Sequence, residues 1–205
     1  MAGLPRLAVI TDWAVPDLLE RVRAVCALGS EVAVMHRAPG LPVRPYLERA
    51  RALQAICAPA GTPLFVGARL DVALACGAHL HLPEDAPSPG ECRPWLPAGR
   101  WISVAFHDGT PLERVEGADV ALVSPVFSPG SKPGDTRPTL GVHGFHRLAG
   151  TLPCPAWALG GMDPGHARAL GPAAGVAVIS ACWRAENPLT ACGTLLEVLK
   201  AAPAR

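Results

Sequence analysis

The chain has 205 residues, half of them hydrophobic and 17% charged, enough to bury a full core within one domain spanning residues 1–205. Its formal net charge is +1, so it carries no broad basic field of the kind that holds nucleic acid or an anionic membrane, and any anion must be held by local geometry. Every apolar run is cut by Gly, Pro or charge before membrane-spanning length, and no charged segment followed by an apolar stretch opens the chain as a secretion signal would.

In chain order, short aliphatic runs recur at residues 7–11, 32–36, 64–66, 80–82, 101–104, 120–123, 156–159 and 175–179. Each is nearly continuous rather than alternating, the pattern of a strand covered on both faces. Helical spacing fills several of the gaps. Residues 16–28 put Leu18, Leu19, Val22, Val25 and Cys26 on one stripe, and residues 44–58 do the same with Leu47, Ala50, Leu53, Ile56 and Cys57. Residues 163–170 read as a short helix with Asp163 as N-cap and Pro164 at the first helical position, and residues 189–201 form a further helix. The Pro- and Gly-rich stretches after Leu82 and Val123 read as loops. Eight strands with helix-length crossovers predict a compact α/β chain, a (β/α)₈ TIM barrel; an open doubly wound sheet is the rival and needs fewer strands.

Seven cysteines are scattered, odd in number and never spaced C-x-x-C, so neither a zinc site nor a disulfide framework is expected, and a reduced cytoplasm is the natural compartment. Only two of the 18 basic residues are lysines, Lys132 and Lys200, which singles out Lys132 in mid-chain.

In a (β/α)₈ barrel the site lies at the strand C-termini, and a phosphate is often held after strands seven and eight. Here strand seven runs into Gly160–Gly161 and strand eight into Ile179–Ser180. Glycine lets the main chain approach a phosphate oxygen without an intervening Cβ. Taken alone, Gly160–Gly161 fits a tight left-handed turn equally well; the second junction, one strand on, brings in the anion cradle.

The stretches "LAVITD", "GADVALVSPVFSPGSKPG" and "ALGGMDPGHARALGPAAGVAVISA" together resemble the thiamine phosphate synthase and thiazole tautomerase family over nearly the whole chain. The resemblance implies a (β/α)₈ fold and a transferase. Hydroxymethylpyrimidine diphosphate would lose pyrophosphate to give a stabilised cation, which the nitrogen of a thiazole phosphate captures. It implies a thiazole-phosphate cradle at Gly160, Gly161, Ile179 and Ser180, joined by the hydroxyl of Ser131, with Lys132 and Arg37 on the pyrophosphate. It also implies Mg²⁺ on Asp85, beside Glu84, and a proton-transfer role for His107. For Lys132, Arg37, the Glu84–Asp85 pair and His107 the plain alternatives are a solvated lysine, a rim ion pair, a solvated turn and a structural hydrogen bond.

The chain departs from the family at several points. Pro129 replaces a loop threonine, Met35 and Pro39 replace a glutamine and a lysine around Arg37, and Gly67-Ala68-Arg69 stands where the family reads Asn-Asp-Arg. The lost aspartate is a metal ligand there. Pro125 occupies the position of the tautomerase histidine. Two other functions stay open: a tautomerase-like isomerase using His107, and a catalytically silent paralogue that binds thiamine precursors. The expected partner is a small phosphorylated heterocycle, with no nucleic acid and no membrane; homo-oligomer formation is left open.

Overall fold

The computed structural model describes residues 3–128, 138–171 and 175–201. Eight parallel strands close on themselves in sequence order, β1 to β8 with β8 pairing back onto β1. They are β1 (Leu7–Ile10), β2 (Val32–His36), β3 (Leu64–Gly67), β4 (His79–Leu82), β5 (Ile102–Phe106), β6 (Val120–Val123), β7 (Ala156–Leu159) and β8 (Gly175–Val178). The helices are α1 (Leu18–Val25), α2 (Val43–Cys57), α3 (Leu70–Cys76), α4 (Pro89–Cys92), α5 (Gly141–Ala149), α6 (Pro164–Leu170), α7 (Ser180–Trp183) and α8 (Pro188–Ala201). The chain is thus a (β/α)₈ barrel, and the open sheet is excluded.

Every apolar run anticipated as a strand is one; three coincide with their strands and the rest differ at an end by one or two residues, the fifth beginning at Ile102 and ending at Phe106. The first helix is shorter than its apolar stripe, because the chain tightens into a 3₁₀ segment over Cys26–Glu31. The stretch after Leu82 is not all loop. Ser88 and Glu91 form a reciprocal cap, Ser88 Oγ accepting from the Glu91 N–H and Glu91 from the Ser88 N–H, and α4 then begins at Pro89, whose ring nitrogen needs no acceptor. Asp163 caps α6, its carboxylate accepting from the His166 N–H at 2.7 Å.

The continuous apolar runs conceal an alternation. Ala8, Ile10, Ala33, Met35, Phe65, Val120, Leu122, Trp157 and Ala177 point into the barrel, while Leu7, Val9, Val32, Val34, Leu64 and Val66 point out to the helices. Rings fill the lower barrel. Phe65 packs edge-on to Trp157 at 5.6 Å, His79 stacks on Trp101 at 4.4 Å, and Trp157 Nε1–H donates to the Pro5 carbonyl at 3.0 Å. Toward the strand C-termini the inward side chains are smaller or polar, so the plug stops partway and leaves a hollow above it.

Candidate functional site

The hollow has a volume of about 520 Å³ and opens at the strand C-termini. Its floor is Ile10, Met35, His81, Ala105, Leu122 and Ala177. Around this apolar floor stand Arg37, Asp85, His107, Gly160, Gly161, Ile179 and Ser180, so seven of the nine candidate residues line one cavity. The other two, Ser131 and Lys132, lie outside the described residues.

The β7 end is shaped by the loop after β6. The carbonyl of Leu159 accepts from the Val126 N–H at 2.8 Å, and that of Gly160 accepts from the Phe127 N–H at 3.1 Å. Two successive carbonyls therefore face the β6 side, where a regular strand would alternate; a φ of +104° at Gly160 makes the reversal. In a trans peptide the N–H lies opposite the preceding carbonyl. The N–H groups of Gly160 and Gly161 consequently both point away from β6, toward β8, as a pair of adjacent donors.

The β8 end lines the same cavity. Ile179 has φ −124° and ψ −81°, and its carbonyl turns into α7 to accept from the N–H groups of Cys182 and Trp183 at 3.2 and 3.1 Å. The Ser180 N–H in that same peptide faces backward, out of the helix start, where no intrahelical acceptor exists.

The glycines are required for a reason the sequence did not disclose. A Cβ on Gly161 would sit 2.6 Å from the Ser128 carbonyl oxygen and 2.9 Å from Phe127 Cβ, and one on Gly160 would sit 2.9 Å from the Phe127 carbonyl oxygen. Close approach of the β6 loop excludes side chains there. His166 completes the junction: its Nδ1 lies 2.7 Å from the Gly161 carbonyl and its ring stacks on Phe127 at 3.9 Å.

Opposite this cradle, His107 Nδ1–H donates to the Ser124 carbonyl at 2.6 Å, which fixes the tautomer and turns Nε2 toward Glu84 Oε2 at 3.7 Å. Arg37 is positioned through its backbone: its N–H donates to Thr11 Oγ1 at 3.0 Å, and that hydroxyl donates to the Arg37 carbonyl at 3.3 Å. The β3 end offers no carboxylate. Ala68 stands there in the left-handed region, φ +63°, with its N–H donating to the His81 carbonyl at 2.8 Å.

Reasoning from sequence passed over His81. It is buried in the cavity wall, with Nδ1 2.8 Å from Ser103 Oγ on the neighbouring strand. Burial, reinforced by the Arg37 charge, lowers its pKa to about 4, so the ring is neutral at physiological pH. The signal was the spacing His79-x-His81 on a strand, which turns both rings inward. Among the described residues no group of three or more His, Cys, Asp or Glu side chains is arranged to hold a metal ion. Asp85 and Glu84 on the rim are two adjacent carboxylates, a donor set that suits Mg²⁺ only where substrate oxygens and water complete the octahedron. No helix among the described residues is long and apolar enough to cross a membrane.

Comparison with known proteins gives a consistent result. The family model described as thiamine monophosphate synthase matches residues 7–182. The thiamine-phosphate synthase of Albidiferax ferrireducens is 34% identical over 203 residues, covering 96% of this chain and 92% of the relative. That of Moorella thermoacetica is 34% identical over 187 residues, covering 88% of each. Among solved structures, a thiamine phosphate pyrophosphorylase from Pyrococcus furiosus superposes with a TM-score of 0.80 at 26% identity over 98% of both chains. A 3-hexulose-6-phosphate synthase, at 16% identity and a TM-score of 0.67, shares the fold alone.

Proposed function

Because the chain belongs to the thiamine monophosphate synthase family, we propose that it is a transferase of thiamine biosynthesis that joins hydroxymethylpyrimidine diphosphate to thiazole phosphate in the cytoplasm. The observation that carries this reading is that Gly160, Gly161, Ile179 and Ser180 line one cavity together with Arg37, Asp85 and His107.

In this reading the thiazole phosphate anchors its phosphoryl oxygens on those amides and on Ser131. The apolar floor accommodates the flat heterocycles and excludes water from the short-lived cation. The methylene C–O bond of the pyrimidine diphosphate breaks, its electron pair leaving with the diphosphate. The thiazole nitrogen then forms the new C–N bond with its lone pair. Arg37 and Lys132 take up the charge that develops on the leaving group. Mg²⁺, when bound with the diphosphate on Asp85, would supply further neutralisation of that charge. His107, with Nε2 3.7 Å from Glu84 Oε2, holds or accepts a proton at the cavity rim.

The test is incubation of the purified protein with both precursors and Mg²⁺, with thiamine phosphate followed by chromatography. Product formation, lost in Lys132→Ala while thiazole-phosphate binding persists, is the expected result. Isomerisation of a thiazole phosphate without the pyrimidine partner would instead assign a tautomerase. Binding without turnover of either kind would assign a silent paralogue, a reading favoured by Ala68 at the β3 end.

A further inference from the structure

The stretch between β4 and α4 supplies part of the cavity rim, where Pro83, Glu84 and Asp85 line the hollow. Pro83, Pro87 and Pro89 bring no N–H to this stretch, so few backbone donors are left to hold it. A tight turn opens it. The Ala86 N–H donates to the Pro83 carbonyl at 3.1 Å, which puts Glu84 and Asp85 at the two central positions of a four-residue turn. Both tip residues are exposed, and Glu84 Oε2 stands 3.7 Å from His107 Nε2. A single backbone bond at the surface holds such a turn loosely.

The firmer hold comes from a different crossover. Arg114 belongs to the 3₁₀ segment Leu112–Val115 between β5 and β6. Its backbone is anchored there: its N–H donates to the Pro111 carbonyl at 3.0 Å, and the next residue, Val115, is fully buried. The guanidinium then spans the turn. Nη2 donates at 2.7 Å to the Pro83 carbonyl, the same oxygen that closes the turn, and Nη1 donates at 2.9 Å to the Pro87 carbonyl, one residue before the Ser88 cap of α4. Nε is buried with no hydrogen-bond partner, and no ion pair among the described residues includes Arg114. The planar fork is thus committed to the two feet of the turn, where two charge-assisted bonds in one rigid group fix the spacing between them.

We propose that Arg114 is a positioning residue of the site: it holds the turn that presents Glu84 and Asp85 to the cavity, and acts on substrate only through them. Its effect on turnover rests on the transferase reading; its hold on the turn does not.

Amide hydrogen exchange at Ala86, followed by NMR on the whole chain, and steady-state kinetics at fixed Mg²⁺ test it together. Arg114→Ala is expected to speed exchange at Ala86 roughly tenfold. It should raise KM for hydroxymethylpyrimidine diphosphate by about the same factor, with KM for thiazole phosphate unchanged. Arg114→Lys keeps the charge but loses the fork, so it should follow alanine. Arg93→Ala is the control for plain destabilisation. Arg93 also joins this region to the β5–β6 crossover, donating to the Gly117 carbonyl at 2.9 Å and to Asp119 Oδ2 at 2.6 Å, but it does not touch the turn. That variant should lower the urea midpoint and leave both KM values and Ala86 exchange alone. Unchanged Ala86 exchange in Arg114→Ala overturns the proposal, as does an Arg114→Lys chain that behaves like the unmodified one. So does an Arg93→Ala chain with the same KM change. If no thiamine phosphate forms but Ala86 exchange rises in Arg114→Ala and not in Arg93→Ala, the hold on the turn stands and the transferase reading falls. If product forms with both KM values unchanged in Arg114→Ala, the positioning role falls instead.

Discussion

The imidazole of His166 donates from Nδ1 to the carbonyl of Gly161 across 2.7 Å, and Asp163 Oδ2 lies 3.3 Å from the same nitrogen. That bond sets the plane of the peptide joining Gly161 to Met162, while the stack on Phe127 ties the same ring to the β6 loop. His166 touches no substrate in the proposed reaction; it holds the turn that follows the Gly160 and Gly161 amides, which do. His166→Ala is expected to raise KM for thiazole phosphate roughly tenfold with kcat nearly unchanged, the mark of lost ground-state binding. His166→Asn, which can return a donor to the carbonyl, should recover part of the loss. Steady-state kinetics with the two variants separates this from a general loss of stability, which would lower the active fraction and leave KM alone.

Gly161→Ala is a harsher change. The residue has φ +58°, and its new Cβ would meet the Ser128 carbonyl oxygen at 2.6 Å and Phe127 Cβ at 2.9 Å. Backbone on both sides has little freedom to yield, so the β6 loop or the β7 turn must move. A loss of about 2–3 kcal/mol is expected, combining left-handed strain with overpacking. Urea denaturation measures it. A loss below about 0.5 kcal/mol, within the range of an ordinary surface substitution, would mean that the two loops are not locked together.

How much of this was legible beforehand differs from part to part. The eight strands could be read because both faces of each are buried, which leaves short, nearly continuous apolar runs at even intervals. Helices α3 and α5 could not be placed in advance. α3 is seven residues long, and α5 carries Gly141, Gly144, His143 and His146, which hide its apolar face behind poor helix formers. The cradle was legible as paired junctions, Gly160–Gly161 and Ile179–Ser180, but not the reason for its glycines. That reason is the β6 loop, a contact between segments more than thirty residues apart, and such contacts leave no local pattern. His81 was missed because a histidine in an apolar run says nothing about which strand neighbour will meet it; the partner, Ser103, is set by barrel register.

Ala68 occupies the left-handed region at φ +63° without any local compensation from its methyl side chain. Alanine in that conformation costs about 1 kcal/mol, whereas asparagine tolerates it. Ala68→Asn should therefore stabilise the fold by roughly 0.5–1 kcal/mol, visible as a higher urea midpoint at unchanged slope. A lower midpoint would show that the methyl group packs in a way that outweighs the backbone strain.

His36, His79 and His81 are all buried, and removal from water lowers the pKa of each from 6.5 to about 4. An imidazole that is neutral when folded and basic when unfolded binds more protons in the unfolded state between those two values. Stability is therefore complete above about pH 6.5 and falls as pH drops toward 4. Each ring contributes on the order of 2–3 kcal/mol across that window, and together they give a slope near pH 5 of about 3–4 kcal/mol per pH unit. Carboxylates whose pKa is lowered, such as Asp71 beside Arg69, act in the same direction but only below the usual carboxylate range, so the decline between pH 6.5 and 4.5 belongs to the histidines. Urea denaturation at half-unit steps from pH 8 to 4.5 measures this slope. A stability that stayed level down to pH 4.5 would mean that these rings reach water in the folded state, and the neutral wall assigned to His81 would have to be abandoned.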